Sequence, residues 1–156
     1  MPSRPASGKS QLPRLVFARA SVARRANYAG ELPVNALARL AAAVAAPSGK
    51  LKVELHAWPD ARGASHLAGR IEGDLVLQCQ RCLRDFDFRL DVAVDLRLVE
   101  CEADEQRLLS ECEPYFVADD RLPLHEIVED EALLAMPLSP RCERDDCTEG
   151  PIDQAR

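Results

Sequence analysis

A strict two-residue alternation in the middle of the chain constrains the fold more than any other feature. Between residues 86 and 100, apolar residues fall on every second position, and most positions between them are aspartate or arginine. This period places the apolar side chains on one face of a strand and the charged ones on the other. It predicts a long strand of an antiparallel sheet with one face in water. The apolar residues are Phe86, Phe88, Leu90, Val92, Val94, Leu96 and Leu98.

A C-x-x-C pair, Cys79 and Cys82, separates this strand from an earlier strand-like run that ends at Leu77. A second pair, Cys142 and Cys147, lies near the C-terminus at the upper limit of ligand spacing. Cysteines this close in sequence can turn both sulfurs toward one ion, and tetrahedral zinc takes four such ligands. The two pairs therefore predict one structural zinc site.

Two other interpretations of the cysteines stay open. The four residues could be unligated thiols, or the first pair could be a redox motif. A redox C-x-x-C pair opens a helix within a βαβ unit, and Cys79 and Cys82 lie between strands instead, which disfavours that chemistry. Cys101 and Cys112 have no partner at ligand spacing.

The remaining periodicity predicts an α+β fold, with two or three helices beside an antiparallel β-sheet and the cysteine knuckle between two strands. Helical spacing of apolar residues predicts helices over residues 33–46 and 124–136. Residues 15–28 fit either an extended arm or a short basic helix, and the acidic residues 100–113 are typical of a flexible loop. Further strands are predicted over residues 51–58, 66–73, 74–78 and 115–117.

Charge is distributed very unevenly along the chain, whose net charge is -6. Residues 1–25 hold six basic residues and no acid, whereas residues 100–156 hold 17 acids against five arginines. A basic arm suits a polyanion, and an acidic end suits a cationic partner. Solvated tails are the alternative. The candidate RNA-binding residues are Arg14, Arg19, Arg24 and Arg25 of the arm, with Arg81 at the knuckle.

Several classes of protein are disfavoured by what the sequence lacks. No apolar run approaches the length of a membrane span, no secretory signal is recognisable, and the cysteines suit a reduced compartment, so we expect a cytoplasmic protein. His56, His66 and His125 stand alone as surface histidines, and the acidic run that starts at Glu129 is typical of a solvated helix face. We therefore expect no enzymatic activity and no small-molecule substrate.

Two motifs in this order resemble a known family. They are Leu77-x-Cys79-x-Arg81-Cys82-Leu83 and the later string Val-Glu-Asp-Glu-Ala-Leu-Leu-Ala-Met-Pro at residues 128–137. Together they resemble the YceD-like family, known as large ribosomal RNA subunit accumulation proteins. The likeness spans roughly residues 15–147 and also takes in Tyr28-x-Gly30, Glu113-Pro114-Tyr115 and Pro140-x-Cys142.

The resemblance implies a non-enzymatic ribosome-assembly factor that supports synthesis or accumulation of large-subunit (23S) ribosomal RNA. Its partners would be the ribosomal RNA precursor, ribosomal proteins or both. The alternative is a zinc-stabilised adaptor that binds a basic protein, such as a ribosomal protein. On this interpretation the chain divides into a disordered basic tail (residues 1–14), a single YceD-like domain (15–148) and a flexible C-terminal tail (149–156).

Overall fold

The computed structural model describes residues 11–147. The predicted C-terminal tail lies outside these residues, as do residues 1–10 of the predicted N-terminal tail. The strands are β1 (Val16–Phe17), β2 (Asn27–Pro33), β3 (Lys50–Pro59), β4 (Ser65–Gln78), β5 (Asp85–Val99), β6 (Pro114–Phe116) and β7 (Arg121–Leu122). The α-helices are α1 (Ala18–Ala23), α2 (Ala38–Ala43), α3 (Glu102–Leu108) and α4 (Leu124–Ala135), with short 3-10 turns at Val34–Ala36 and Ala118–Asp120.

Five of these strands form one sheet in the order β2-β3-β4-β5-β6. The first four run antiparallel to their neighbours in a meander, and β6 pairs parallel with the last three residues of β5. Strands β1 and β7 form a separate two-stranded sheet. The predicted α+β class, the antiparallel sheet and the knuckle between two strands are confirmed.

The core lies on one face of the sheet because the alternation holds in three successive strands. Leucine, isoleucine and valine side chains of β3, β4 and β5 point to that face, and α4 packs across it with the residues around α2. The outer face carries the charged residues that alternate with the apolar ones. Among them, Arg70 and Asp91 form a bidentate ion pair (2.6 Å for each bond). The fully buried side chains include Leu40, Leu51, Leu67, Ile71, Leu75, Leu77, Leu90, Leu122, Leu124 and Ile127.

The predicted second strand and the run after it are a single strand, β4, whose weak alternation has a steric cause. A Cβ on Gly69 would lie 1.9 Å from the backbone oxygen of Glu54 in β3. The backbones approach each other too closely there for any side chain, so glycine interrupts the apolar pattern without ending the strand.

Several elements differ from the sequence prediction. The acidic residues 100–113 contain helix α3, which the Cys101 side chain caps by accepting from the backbone N–H of Asp104 (3.4 Å). The predicted helix over residues 33–46 is shorter, because a 3-10 turn precedes α2. In α4, Leu134 has the helical spacing of the apolar residues that predicted the helix, but its side chain is 75% exposed. None of the helices within residues 11–147 is long and apolar enough to cross a membrane.

Candidate metal centre

The knuckle between β4 and β5 is a tight turn that directs backbone donors at one sulfur. Leu83 donates its N–H to the carbonyl of Cys79, and its positive φ of 62° lets the chain reverse before β5. The N–H groups of Arg81 and Cys82 point at the Cys79 sulfur, at 3.4 and 3.5 Å. The turn therefore presents Cys79 and Cys82 on the same side.

The segment after α4 brings the second cysteine pair to the knuckle. Its carbonyl at Pro140 accepts from the N–H of Gln80 (2.8 Å), which places the segment against the turn. At the C-terminal end of this segment, the guanidinium of Arg84 donates to the carboxylate and the carbonyl of Asp146. The guanidinium of Arg144 donates to the carbonyl of Asp85 (2.9 Å). These contacts bring Cys142 and Cys147 to Cys79 and Cys82, so the predicted clustering of the two pairs is confirmed.

The four sulfurs lie at the separations of a tetrahedral metal site. Cys79 and Cys147 are 3.7 Å apart, Cys82 and Cys142 are also 3.7 Å apart, and all four sulfurs lie within 4.8 Å of one another. Four sulfurs at about 2.3 Å from one zinc ion would stand about 3.8 Å apart on the edges of the tetrahedron. None of the four cysteines forms a disulfide. The donor set and its spacing therefore fit zinc.

The surroundings spread the acidities of the thiols widely. Backbone N–H groups of Cys142 and Cys82 lower the pKa of Cys79 to about 5, and the N–H of Arg84 lowers the pKa of Cys82. Burial, reinforced by the neighbouring sulfurs, raises the pKa of Cys147 to about 12. The surroundings therefore favour ionisation of the first thiol and oppose ionisation of the last one. A divalent cation would relieve the repulsion among four thiolates.

A family model described as "Large ribosomal RNA subunit accumulation protein YceD" matches residues 67–155, a stretch that includes all four clustered cysteines. The chain belongs to the YceD family. A relative from Haemophilus influenzae with the same description is 29% identical over 140 residues, covering 89% of this chain and 80% of the relative. No solved structure gives a significant match.

The YceD string at residues 128–137 has a structural role that its sequence does not indicate. Glu129 was expected on a solvated face, but it is only 7% exposed. Its carboxylate accepts from the backbone N–H groups of Arg39 (3.0 Å) and Leu40 (3.3 Å) and from the Arg39 guanidinium (2.9 Å). Because α2 has no side-chain cap of its own, Glu129 caps it from another helix.

The candidate RNA-binding arginines do not form one patch. Arg19 is held by Glu100 (2.8 Å), and its backbone N–H donates to Asp120. Arg24 donates to the hydroxyl of Tyr28, Arg25 follows α1 with a positive φ of 52°, and Arg14 borders a pocket beside α4.

Arg81 lies at the other end of the sheet from α1. The carbonyl of Ala26, just after α1, accepts from the N–H of Ala57 in β3, and Ala57 pairs with Leu67 in β4. The knuckle begins twelve residues after Leu67, at the end of β4. At about 3.3 Å per residue the separation is about 40 Å. Arg19 of the arm forms an exposed ion pair with Glu100, so an acid of residues 100–156 already neutralises one of the candidate arginines.

The three histidines make structural contacts. His56 and His66 both stack on Trp58, with ring centroids 5.3 and 5.2 Å away. Both lie on the outer face of the sheet, as expected, and His66 also bonds to Asp60 (2.9 Å). His125 bonds to the carbonyl of Leu12 (2.8 Å). The stack was not predicted, although the alternation of β3 places residues 56 and 58 on one face.

Proposed function

We propose that this protein is a non-enzymatic ribosome-assembly factor that acts in the cytoplasm and supports the accumulation of large-subunit (23S) ribosomal RNA. The observation that carries the proposal is membership of the YceD family, whose description, like that of the Haemophilus influenzae relative, reads "Large ribosomal RNA subunit accumulation protein". Its partners on this proposal are the ribosomal RNA precursor, ribosomal proteins or both.

A structural zinc ion completes the proposal. Cys79, Cys82, Cys142 and Cys147 would hold it with four thiolates, which leaves no open coordination position for substrate or water. Its place supports a structural role, because the four residues connect the β4–β5 turn to the segment after α4. Bound there, the ion supplies a cross-link between two parts of the chain that are otherwise joined by few hydrogen bonds.

The chemistry of the pockets supports a non-enzymatic role. A cavity of about 300 Å³ beside α4 is bordered by His125 and Glu129, two residue types that can act as acid and base. Both side chains are already engaged: Glu129 caps α2, and His125 bonds to Leu12. General acid–base catalysis needs a group that is available to a substrate.

The proposal is tested by deleting the gene from its host and measuring large-subunit against small-subunit ribosomal RNA. We expect a lower ratio with precursor accumulation, restored by the unaltered gene. Cys101→Ser is the matched control, because Cys101 is exposed and outside the cluster, whereas Cys79→Ser removes one proposed ligand. An unchanged ratio in the deletion strain would refute the proposed function. A Cys79→Ser chain that is abundant and fully active would refute the zinc requirement alone.

The second candidate, a protein-binding adaptor for a basic partner, is favoured by the acidic composition of residues 100–156. Affinity capture with and without ribonuclease separates the two. A ribosomal protein retained after ribonuclease treatment supports the adaptor, and loss of all ribosomal components supports direct binding of RNA.

A further inference from the structure

Strand β5 has a long edge that no other described strand covers. Its 15 residues pair with β4 from Asp85 to Leu98, but β6 pairs with only the last three, Arg97 to Val99. Over residues 85–96, therefore, β5 has a strand on one side and none on the other within residues 11–147.

The direction of the free backbone groups follows from two observed bonds. The N–H of Arg97 donates to the carbonyl of Glu113 on the β6 side, and the carbonyl of Asp85 accepts from Arg144. Because backbone groups alternate sides along a strand, every odd-numbered residue presents its N–H and C=O to this edge. These groups have no backbone partner in the described part of the chain at Asp87, Arg89, Asp91, Ala93 and Asp95.

The side chains beside the edge define what it would accept. On the outer face, Asp87 and Asp95 have no cationic partner among the described residues, and Asp91 also stands on that face. On the inner face, Phe86 and Phe88 are only partly buried. They border a groove of about 590 Å³ beside the first part of the edge, residues 86–89, and its other wall is formed by Pro137, Arg141, Cys142, Glu143 and Arg144.

A second copy of β5 meets like charges in the register that covers the whole edge. The antiparallel register centred on Asp91 pairs every residue from Asp87 to Asp95, and it would place Asp91 opposite itself and Asp87 opposite Asp95. Shifting the register toward either end places Arg89 opposite an aspartate but shortens the paired stretch, because Asp85 and Arg97 already bond to Arg144 and Glu113. Like charges directly opposite each other destabilise a strand pair, so the full edge suits a cationic strand better than a second copy.

We propose that the β5 edge from Asp87 to Asp95 binds an extended segment of a partner protein, as an added strand in which basic residues alternate with apolar ones. The basic side chains would face the aspartates, the apolar ones would enter the groove beside Phe88, and the backbone would complete the free ladder. Nine residues span about 30 Å. The inference rests on strand geometry and charge and is independent of the ribosomal role.

The test uses the full chain and a labelled peptide of about ten residues that alternates lysine and valine, sized to the edge. Fluorescence anisotropy should show saturable binding. A peptide of the same composition with its lysines and valines in separate blocks, and an alternating glutamate–valine peptide, should not bind. Amide NMR shifts on binding should be largest at the odd-numbered residues from Asp87 to Asp95.

Two variants and one control locate the site. Ala93→Pro removes an N–H that faces the free edge and keeps the β4 ladder, so peptide binding should weaken about tenfold or more. Reversing charge in Asp87→Lys with Asp95→Lys should weaken it about tenfold by electrostatics. Glu54→Lys reverses the same charge on β3, both of whose edges are occupied, and should change binding less than about twofold.

Three results would overturn the proposal. The first is no binding of the alternating peptide at millimolar concentration. The second is equal binding of the block peptide, which would show charge attraction without an added strand. The third is a dimer in solution that Ala93→Pro dissociates, which would put a second copy on the edge. If Ala93→Pro fails to fold, the charge-reversed chain and the NMR shifts decide the question.

Discussion

The carboxylate of Glu129 in α4 accepts hydrogen bonds from both the backbone N–H and the guanidinium of Arg39, a residue 90 positions earlier at the start of α2. It is one of two buried polar side chains in residues 11–147. A buried carboxylate is tolerated only when its oxygens are satisfied, and here one helix terminus and one cation satisfy them. The pair fixes α2 against α4 over the core.

Removing this carboxylate should destabilise the fold. Glu129→Ala leaves the N–H groups of Arg39 and Leu40 without an acceptor, so we expect the free energy of unfolding to fall by about 2–3 kcal/mol. The neighbouring Asp130→Ala is the matched control, because Asp130 also bonds to Arg39 but is half-exposed, and should cost less than about 1 kcal/mol. Urea unfolding measures both. Equal losses would contradict the capping role.

The cysteine cluster should bind one zinc ion per chain. Elemental analysis of purified protein should give about one zinc, as four thiolate ligands imply, and Cys79→Ser should lower that value and the melting temperature. Cys101→Ser should retain the metal, because its side chain only caps α3. Metal-free protein as stable as the zinc-loaded form would end the hypothesis.

The Asp60–His66 contact should make stability depend on acid pH. The hydrogen bond with His66, with backbone N–H groups of the turn, lowers the pKa of Asp60 from 3.8 to about 2. A lowered pKa means that the folded state favours the ionised form, so this stabilisation is present above pH 4 and is lost as the pH falls toward 2.

The check compares melting temperatures of the unaltered chain and Asp60→Asn across this range. The difference should be present above about pH 4 and should close as the pH falls toward 2, within the window set by the two pKa values of Asp60. A difference that is unchanged down to pH 2 would show that the ionised carboxylate contributes nothing. His125, which bonds to a carbonyl, offers a control, since His125→Asn should give no such window.

That the basic arm, residues 1–25, binds RNA remains a prediction. Substituting its arginines tests this better than deleting the arm. Leu12, Ala18 and Val22 are buried in the core, so removing residues 1–25 would damage the fold. If about four phosphates are engaged, the affinity for precursor ribosomal RNA should fall with salt at a log–log slope near -3.

Replacing Arg14, Arg19, Arg24 and Arg25 with glutamine should bring that slope close to zero. Arg62→Gln, in the exposed β3–β4 turn, is the control and should leave it unchanged. Arg81→Gln, measured separately, reports on the opposite end of the sheet. An unchanged slope after the fourfold substitution would remove the arm as the RNA site and favour the adaptor.

Sequence patterns predicted the parts of the fold that form between residues close together in the chain. The alternation in residues 86–98 and the C-x-x-C pair predicted β5, the knuckle and the antiparallel hairpin, because each feature lies within one strand or one turn. The spacing within each cysteine pair predicted that Cys142 and Cys147 would meet Cys79 and Cys82 at one site.

The features that sequence reasoning missed depend on residues far apart or on unusual caps. Glu129 resembled a solvated acid because its burial is set by α2, which no neighbouring residue reveals. Strand β2 was missed because it is a short edge strand containing Gly30 and ending at Pro33. Helix α3 is capped by Cys101, and cysteine is not a preferred capping residue, so the start of the helix carried no recognisable signal.

The order of the meander has a consequence for how the chain folds. Strands β2 to β5 each pair with the next strand in sequence, and contacts between nearby residues form fast because little loop entropy is lost. The cysteine cluster joins Cys82 to Cys142 and Cys79 to Cys147, which are 60 and 68 positions apart in sequence, so it forms after the meander. Loss of metal should therefore open the segment after α4 as a local unit, with rapid hydrogen exchange there, while the four-stranded meander stays protected.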